Sequence, residues 1–368
     1  MSLIKQSQKT LSHKEALQEV YKLTPQIRDY DAFMHVGARW LPYTMYFHDR
    51  NFISDTINTD DYGFRYSHLN HHRYSLCELQ DTDKPLNLLV GGSTALGVGA
   101  TCDEKTLASY LSEHTGELWL NFAGRGYNAT QELLMFIMHQ KKLKNLNNVV
   151  VLSGINSLAL EGIPDQFACE HGRYYYSFEF QHYMNKYNED IRKKKDSFME
   201  KDASSPFLQK IKSLLVPENP ADIVIDDSEV DLNTRILRAA NVITDALQQW
   251  KLLLSSSTAK LHFFLQPLAY WAKEKLTDDE QAVFHAIDHC PNNFYRLFSN
   301  VLGKDVHPVF YNAIKSALDN YNISGYDMNK LLTRSNMIDN TLFVDRVHFN
   351  DLGNNVLSQL IHQTIYQN

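Results

Sequence analysis

From Leu86 onward the chain alternates short apolar runs with amphipathic stretches. Leu86–Val90 (LNLLV) ends in Gly91-Gly92, the pattern of a buried strand closing in a tight turn. Leu118–Phe122 and Val149–Leu152 repeat it, each followed by glycine at Gly124 and Gly126 or at Gly154. Between them, Glu104–His114 reads as a helix with Leu107, Tyr110 and Leu111 on one face. Thr130–Lys142 reads as an amphipathic helix whose basic end suits the helix dipole. Further on, Leu237–Leu254 reads as a helix, Leu261–Leu265 as a fourth strand and Thr341–Val344 as a fifth. Asp351–Tyr366 reads as a closing helix. Strands alternating with helices imply an α/β fold with a parallel sheet covered on both faces. In such folds ligands sit beyond the carboxyl ends of the strands, where these glycines cluster.

Three stretches lie outside this alternation. Residues 1–85 open with a polar, helix-like segment and are expected to pack on the core as an N-terminal extension. Residues 86–368 are expected to form one domain, with insertions at about 158–232 and 268–340. The first insertion carries YYYSFEFQHYMNKY, the basic run Arg192–Lys195 and a segment punctuated by Pro217 and Pro220. The basic run reads as a solvated helix face rather than a site for an acidic partner. No internal repeat is visible.

Composition narrows the function. A net charge of -7 argues against a dedicated nucleic-acid binder, because phosphate neutralisation needs a basic face. No apolar run is long enough to span a bilayer, and the first twenty residues lack the apolar core of a secretory signal. Cys77, Cys102, Cys169 and Cys290 lie far apart with no metal-ligand spacing, which suits a reducing compartment. The expectation is a soluble, cytoplasmic protein. With 368 residues it has more chain than one modest α/β core needs.

Glycine turns after strands raise two kinds of chemistry. GGSTALGVGA lacks the Gly-Lys-Ser/Thr ending of a phosphate loop. Gly124-Arg125-Gly126-Tyr127-Asn128-Ala129 fits GxGxxA, but the next strand ends in Leu152-Ser153-Gly154 with no carboxylate for a ribose. The alternative is a hydrolytic site built from the turns together. Ser93 follows two glycines at a strand end, where its hydroxyl can stand exposed. A serine needs a base, and the base needs a third group to fix its tautomer. Asp345 and His348, three residues apart on one turn, can supply both. The Ser93 and Gly126 amides and the Asn156 side-chain amide stand at the three strand ends and can face a developing oxyanion.

These residues carry a resemblance. Gly91-Gly92-Ser93-Thr94, Asn121 with Gly126, Gly154-Ile155-Asn156 and Asp345-Arg346-Val347-His348 resemble, in order, the four blocks of the SGNH (GDSL-like) hydrolase superfamily. Thr56–Arg65 (TINTDDYGFR) resembles a lead-in found before the serine block in some bacterial members. The resemblance covers about Leu86–Asn156, the strand end Phe263–Pro267 (FFLQP) and about Thr341–Asn368. It implies a three-layer α/β/α sandwich with a parallel five-stranded sheet, of the SGNH-hydrolase or flavodoxin-like kind. It also implies a catalytic Ser93, His348 and Asp345, an oxyanion hole of Ser93, Gly126 and Asn156, and no metal or organic cofactor. Two positions depart from the family: Gly92 stands where an Asp is usual before the serine, and Ser157 where an Asp usually follows the asparagine.

Other polar residues are read more plainly. Arg125 is expected in a surface salt bridge rather than on an anionic substrate group. His68, His71 and His72 lack the spacing of a metal site. Tyr62 and Arg65 are expected to anchor the N-terminal segment. The aromatics around Tyr174–Tyr187 suit either a lid over the strand ends or a homodimer interface, and the sequence leaves both open. The leading expectation is a serine esterase or thioesterase-like hydrolase acting on a small-molecule or carrier-bound acyl substrate. An acyltransferase using the same acyl-enzyme and a non-catalytic binding protein on the same scaffold are the alternatives.

Overall fold

Five strands form one parallel sheet: β1 (Leu86–Gly91), β2 (Leu118–Ala123), β3 (Leu146–Ser153), β4 (Lys260–Leu265) and β5 (Ser324–Asp327). The computed structural model describes residues 12–36, 39–79, 82–169, 171–199, 230–290 and 299–367. The strand order is β2-β1-β3-β4-β5, with every neighbouring pair parallel. In register, Leu89 faces Asn121 on one side and Val150 on the other. Successive side chains point to opposite faces of a strand, so each central strand feeds two cores. Leu88, Val90, Phe122, Val151 and Phe263 enter one core; Leu89, Trp119, Val150, Leu152 and Phe264 enter the other.

Helices cover both faces. Helix α1 (Leu107–Thr115) and the closing helix α5 (Asp351–Tyr366) lie over the second core through Leu107, Leu111, Val356 and Ile361. Helices α2 (Ala129–His139), α3 (Leu232–Leu254) and α4 (Val306–Asn320) lie over the first, with Phe136 packed 4.3 Å from the Trp250 ring. Each fully buried Leu, Val or Phe contributes roughly 1.5–3 kcal/mol. This is the three-layer α/β/α sandwich with a five-stranded parallel sheet that the alternation and the resemblance implied. Because β1 lies between β2 and β3, the chain reverses its winding direction there. The crevice beyond the carboxyl ends of β1 and β3 is the topological switch point, where ligands bind in open α/β sheets.

The fifth strand is not the one expected. Thr341–Val344 forms no ladder: its buried Leu342 and Phe343 amides donate to the Glu280 carboxylate, and the Val344 amide donates to the His348 carbonyl. The apolar run marks a buried loop. The edge strand is instead Ser324–Asp327 (SGYD), too short and polar to stand out, and it runs beside Phe263 and Leu265. The stretch 268–340 therefore supplies both that strand and its covering helix α4.

The N-terminal segment begins, among the described residues, with a capping box in which Ser12 and Glu15 satisfy each other's amides at the start of helix His13–Leu23. Residues 1–11 of the helix-like opening lie outside the described residues. So does the stretch around Pro217 and Pro220. Arg192, Lys193 and Lys194 are exposed on helix Ser177–Met199, and the side chain of Lys195 lies outside the described part. Among the described residues no helix is long and apolar enough to cross a membrane.

Candidate active site

Strand β1 ends in a turn that only glycine can make. A Cβ at Gly91 would lie 2.2 Å from the Leu152 carbonyl oxygen, and one at Gly92 would lie 2.4 Å from Asn156 Nδ2. Ser93 follows at the head of the short helix Ser93–Leu96, whose other end is pinned. The Leu96 carbonyl accepts from Asn121 Nδ2 at 3.0 Å and from Arg65 Nη1 at 3.2 Å. The Gly97 carbonyl accepts from Arg65 at 3.0 Å and from the Tyr30 hydroxyl at 2.8 Å. Arg65, 1% exposed, is further held by Asp103 at 2.7 Å and the Thr56 carbonyl at 2.7 Å. It anchors the N-terminal segment, and it does so on the serine's own helix.

The structure brings Ser93, His348 and Asp345 together although 255 positions separate the first two. His348 Nε2 lies 2.7 Å from Ser93 Oγ, and His348 Nδ1 lies 2.6 Å from Asp345 Oδ2. The other Asp345 oxygen accepts the Val347 and His348 amides, each at 2.8 Å. A carboxylate only accepts, so Nδ1 carries the imidazole proton and Nε2 accepts from the serine hydroxyl. Burial pushes the Asp345 carboxyl up, but the His348 ring and the two amides pull harder, and the net shift is downward. Both side chains remain partly open to solvent, at 16% and 24%.

The loop carrying Asp345 and His348 is clamped by residues that sequence reasoning did not single out. Thr94 donates its hydroxyl to the Val347 carbonyl and accepts from Gln266 Nε2, both at 2.8 Å. The Ala269 amide donates to the Arg346 carbonyl at 2.8 Å. Lys273 and Glu280, 1% and 0% exposed, pair at 2.7 Å. Lys273 also donates to the Asn340 carbonyl, while Glu280 takes the Leu342 and Phe343 amides. At the other end Arg346 pairs with Asp288 at 2.5 Å and lies over the Tyr270 and Phe284 rings. Thr277-x-x-Glu280 is a capping box, a local signal that accounts for Glu280 and hides its second task.

The expected oxyanion donors lie on turns that touch the serine's own: the Gly124 amide donates to the Gly91 carbonyl at 3.0 Å, and Asn156 abuts Gly92. Gly126 adopts φ +70, and a Cβ there would lie 2.6 Å from the Tyr46 hydroxyl. Among the described residues the Ser93 and Gly126 amides have no acceptor. Asn156 Nδ2 rests against Gly92 and donates one of its two protons to the Tyr127 carbonyl at 2.9 Å. Ser157 accepts the Ala129 amide at 3.3 Å. Behind the same turn Ser153 donates to the buried Glu132 carboxyl at 2.7 Å, and burial pushes that carboxyl up to about 8 despite the hydrogen bond.

The loop before Gly126 is fixed by His48, a residue that no local motif marks. His48 Nε2 accepts the Arg125 amide at 2.9 Å, and Nδ1 lies 3.0 Å from the Gly63 carbonyl. Burial, aided by the Arg125 charge, lowers His48 to about 3, so the ring is neutral and Nδ1 carries the proton. Arg125 departs from expectation. It is 7% exposed, and among the described residues it has no carboxylate partner; its guanidinium reaches only the Tyr176 hydroxyl, at 3.5 Å. Instead of a surface salt bridge with a described residue, it sits under an aromatic wall. Tyr46 donates to the Arg125 carbonyl and meets the Tyr176 ring at 5.4 Å, and Tyr175 lies against Gly126.

The remaining candidates lie elsewhere. Lys142 sits 3.6 Å over the Tyr62 ring, and Tyr62 helps line a cavity of about 510 Å³ with Arg50, Asn51, Asp61 and Cys77, apart from the triad. His68 lies 3.4 Å from Glu104, while His71 and His72 are exposed. Among the described residues no group of three or more metal-ligating side chains converges.

No protein-family model matches the chain, and no curated protein matches it. Among solved structures the chain is similar to an acetyl xylan esterase, at 12% identity and TM-score 0.39, covering 76% of this chain and 99% of that one. It is also similar to a GDSL-like lipase from Bacteroides thetaiotaomicron, at 12% identity and TM-score 0.41, covering 79% and 94%. A third is the lipase/acylhydrolase from Enterococcus faecalis, at 11% identity and TM-score 0.36, covering 77% and 95%.

Proposed function

We propose that this protein is a serine hydrolase of acyl esters or thioesters. The observation that carries the proposal is the hydrogen-bonded line from Ser93 Oγ to His348 Nε2 and from Nδ1 to Asp345, at 2.7 and 2.6 Å. Ser93 Oγ attacks the acyl carbonyl carbon while its proton passes to His348 Nε2. The carbonyl oxygen becomes an oxyanion held by the Ser93 and Gly126 amides and the second Asn156 amide proton. Collapse breaks the bond to the leaving alcohol or thiol, which takes the proton from His348 and leaves an acyl-Ser93. Water then attacks, gives a proton to His348, and releases the acid as Ser93 recovers its hydrogen. Asp345 keeps its negative charge throughout and steadies the imidazolium. No step calls for a metal or organic cofactor, and the scattered cysteines favour a cytoplasmic setting.

The same intermediate can pass its acyl group to an alcohol or amine. The closeness of Tyr175 to Gly126 favours a substrate-facing wall in the first insertion, and that wall would decide which acceptor enters. A homodimer contact through the exposed Tyr183 and Tyr187 is the other use of this segment, and sedimentation of the purified protein distinguishes it. The functional test is direct. A fluorophosphonate probe is expected to label Ser93, and short 4-nitrophenyl esters are expected to be hydrolysed. Equal turnover by Ser93→Ala would sink the proposal. Product partitioning between water and added alcohols or amines separates hydrolysis from transfer.

A further inference from the structure

Arg125 is a cation in an unusual position. Burying an unpaired charge is costly, so buried guanidinium groups are paired or hydrogen-bonded. Arg125 is more than nine-tenths buried, yet its only side-chain hydrogen bond among the described residues is the 3.5 Å contact to Tyr176. The 7% of the residue that stays exposed leaves the side chain short of complete enclosure. The main chain around it is held firmly. The Arg125 amide donates to His48, and its carbonyl accepts from the Tyr46 hydroxyl. The Gly124 amide donates to the Gly91 carbonyl at 3.0 Å, which docks this loop on the turn that presents Ser93. The guanidinium thus arises from a fixed point one residue before the Gly126 amide.

We propose that Arg125 recognises an anionic group, carboxylate or phosphate, carried by the substrate near its scissile ester, with the Tyr176 hydroxyl as a second donor. The inference rests on the serine-hydrolase reading above and adds the substrate class. A planar guanidinium fork matches the two oxygens of a carboxylate or phosphate, and such bonds are the strong ones. The net charge of -7 gives the molecule no general attraction for anions, so selection for one must come from a local cation. The anion also supplies the counter-charge that the described residues lack.

The test uses the full chain and two matched ester pairs. Mono-4-nitrophenyl glutarate against 4-nitrophenyl pentanoate places the charge on the acyl side. 4-Acetoxybenzoate against 4-methylphenyl acetate places it on the leaving group. In wild type, kcat/KM is expected to favour the anionic member of one pair by about tenfold or more, as a charge-assisted bond of this kind provides. That ratio is expected to fall toward unity in Arg125→Gln and to return in part in Arg125→Lys. A second arm needs no turnover: calorimetric titration with glutarate and with inorganic phosphate, expected to show saturable binding of at least one to wild type and about tenfold weaker binding to Arg125→Gln. If Arg125→Gln does not fold, Arg125→Lys carries the comparison. Wild type that is blind to charge in both pairs and binds neither anion overturns the proposal, as does a preference unchanged in the variants. Fluorophosphonate labelling of Ser93 separates the two readings. A labelled but charge-blind protein loses only the role of Arg125, and an anion-binding protein that is never labelled loses only the hydrolase.

Discussion

Thr94 donates its hydroxyl to the Val347 carbonyl at 2.8 Å, joining the residue after the candidate nucleophile to the residue before the candidate base. Gln266 in turn donates to Thr94, so the end of β4 braces the same strut. Replacing Thr94 with valine keeps the shape and removes both bonds. It leaves a buried carbonyl and a buried amide without partners, each costing about 1–3 kcal/mol. We expect Thr94→Val to fold with reduced stability in urea. Its kcat for a 4-nitrophenyl ester is expected to fall by about 10²-fold with little change in KM, because a small displacement of His348 suffices. A kcat equal to wild type would remove the strut from the account.

Glu280→Gln probes the other clamp. The substitution strips the negative charge from a pair that is almost wholly buried and leaves Lys273 uncompensated. Breaking such a pair costs about 3–5 kcal/mol. Chemical denaturation should show a loss of that size, and an unchanged midpoint would mean the pair contributes little.

Gly92→Ala tests the approach of Asn156. The backbone at Gly92 suits alanine (φ -86), so the penalty is steric: the new methyl would lie 2.4 Å from Asn156 Nδ2. Displacing one oxyanion donor should lower kcat by about 10²–10³-fold, or about 2.7–4 kcal/mol. Asn156→Ala should give a similar loss, and the double variant should be scarcely worse than either single one. Additive losses would show that the two residues act separately.

Glu132 predicts a pH dependence of stability. Its folded carboxyl is raised by burial to about 8, while the unfolded one titrates near its ordinary value of 4.5. The folded state therefore binds the proton more tightly. The contribution is complete below about 4.5 and is lost as pH rises toward about 8, at about 1.4 kcal/mol per pH unit in between. Glu132→Gln imitates the protonated form and should flatten this decline, ending more stable than wild type at pH 8. Parallel stability curves for the two proteins from pH 5 to 8 would exclude the effect.

Strands β1 to β4 were legible because strands buried on both faces become continuous apolar runs, and each of the first three stops at glycine. Ser324–Asp327 was not, because an edge strand needs little apolar surface; Thr341–Val344 reads as a strand because a loop buried under Glu280 carries the same apolar run. Ser93, Asp345, His348, Gly126 and Asn156 announced themselves through short local blocks. Thr94 and Gln266 lie in such blocks too, but their bracing of the loop is not legible there, since it rests on partners 253 and 172 positions away. Arg125 reads in the sequence as a surface residue, as most arginines are, because a covering wall of Tyr46, Tyr175 and Tyr176 leaves no trace beside it in the chain.

The separation of Ser93 from His348 has a consequence for the life of the protein before it is finished. At about 5–20 residues per second, 255 residues take a ribosome roughly 13–50 s. Throughout that interval the serine hydroxyl is an ordinary alcohol with no base to accept its proton. Only when the segment after Leu342 settles onto Thr94 does His348 come within hydrogen-bond reach of the candidate nucleophile. On the proposed reading, a nascent chain, or one clipped ahead of His348, lacks the general base, so its serine stays a weak nucleophile toward the esters around it until that segment is made.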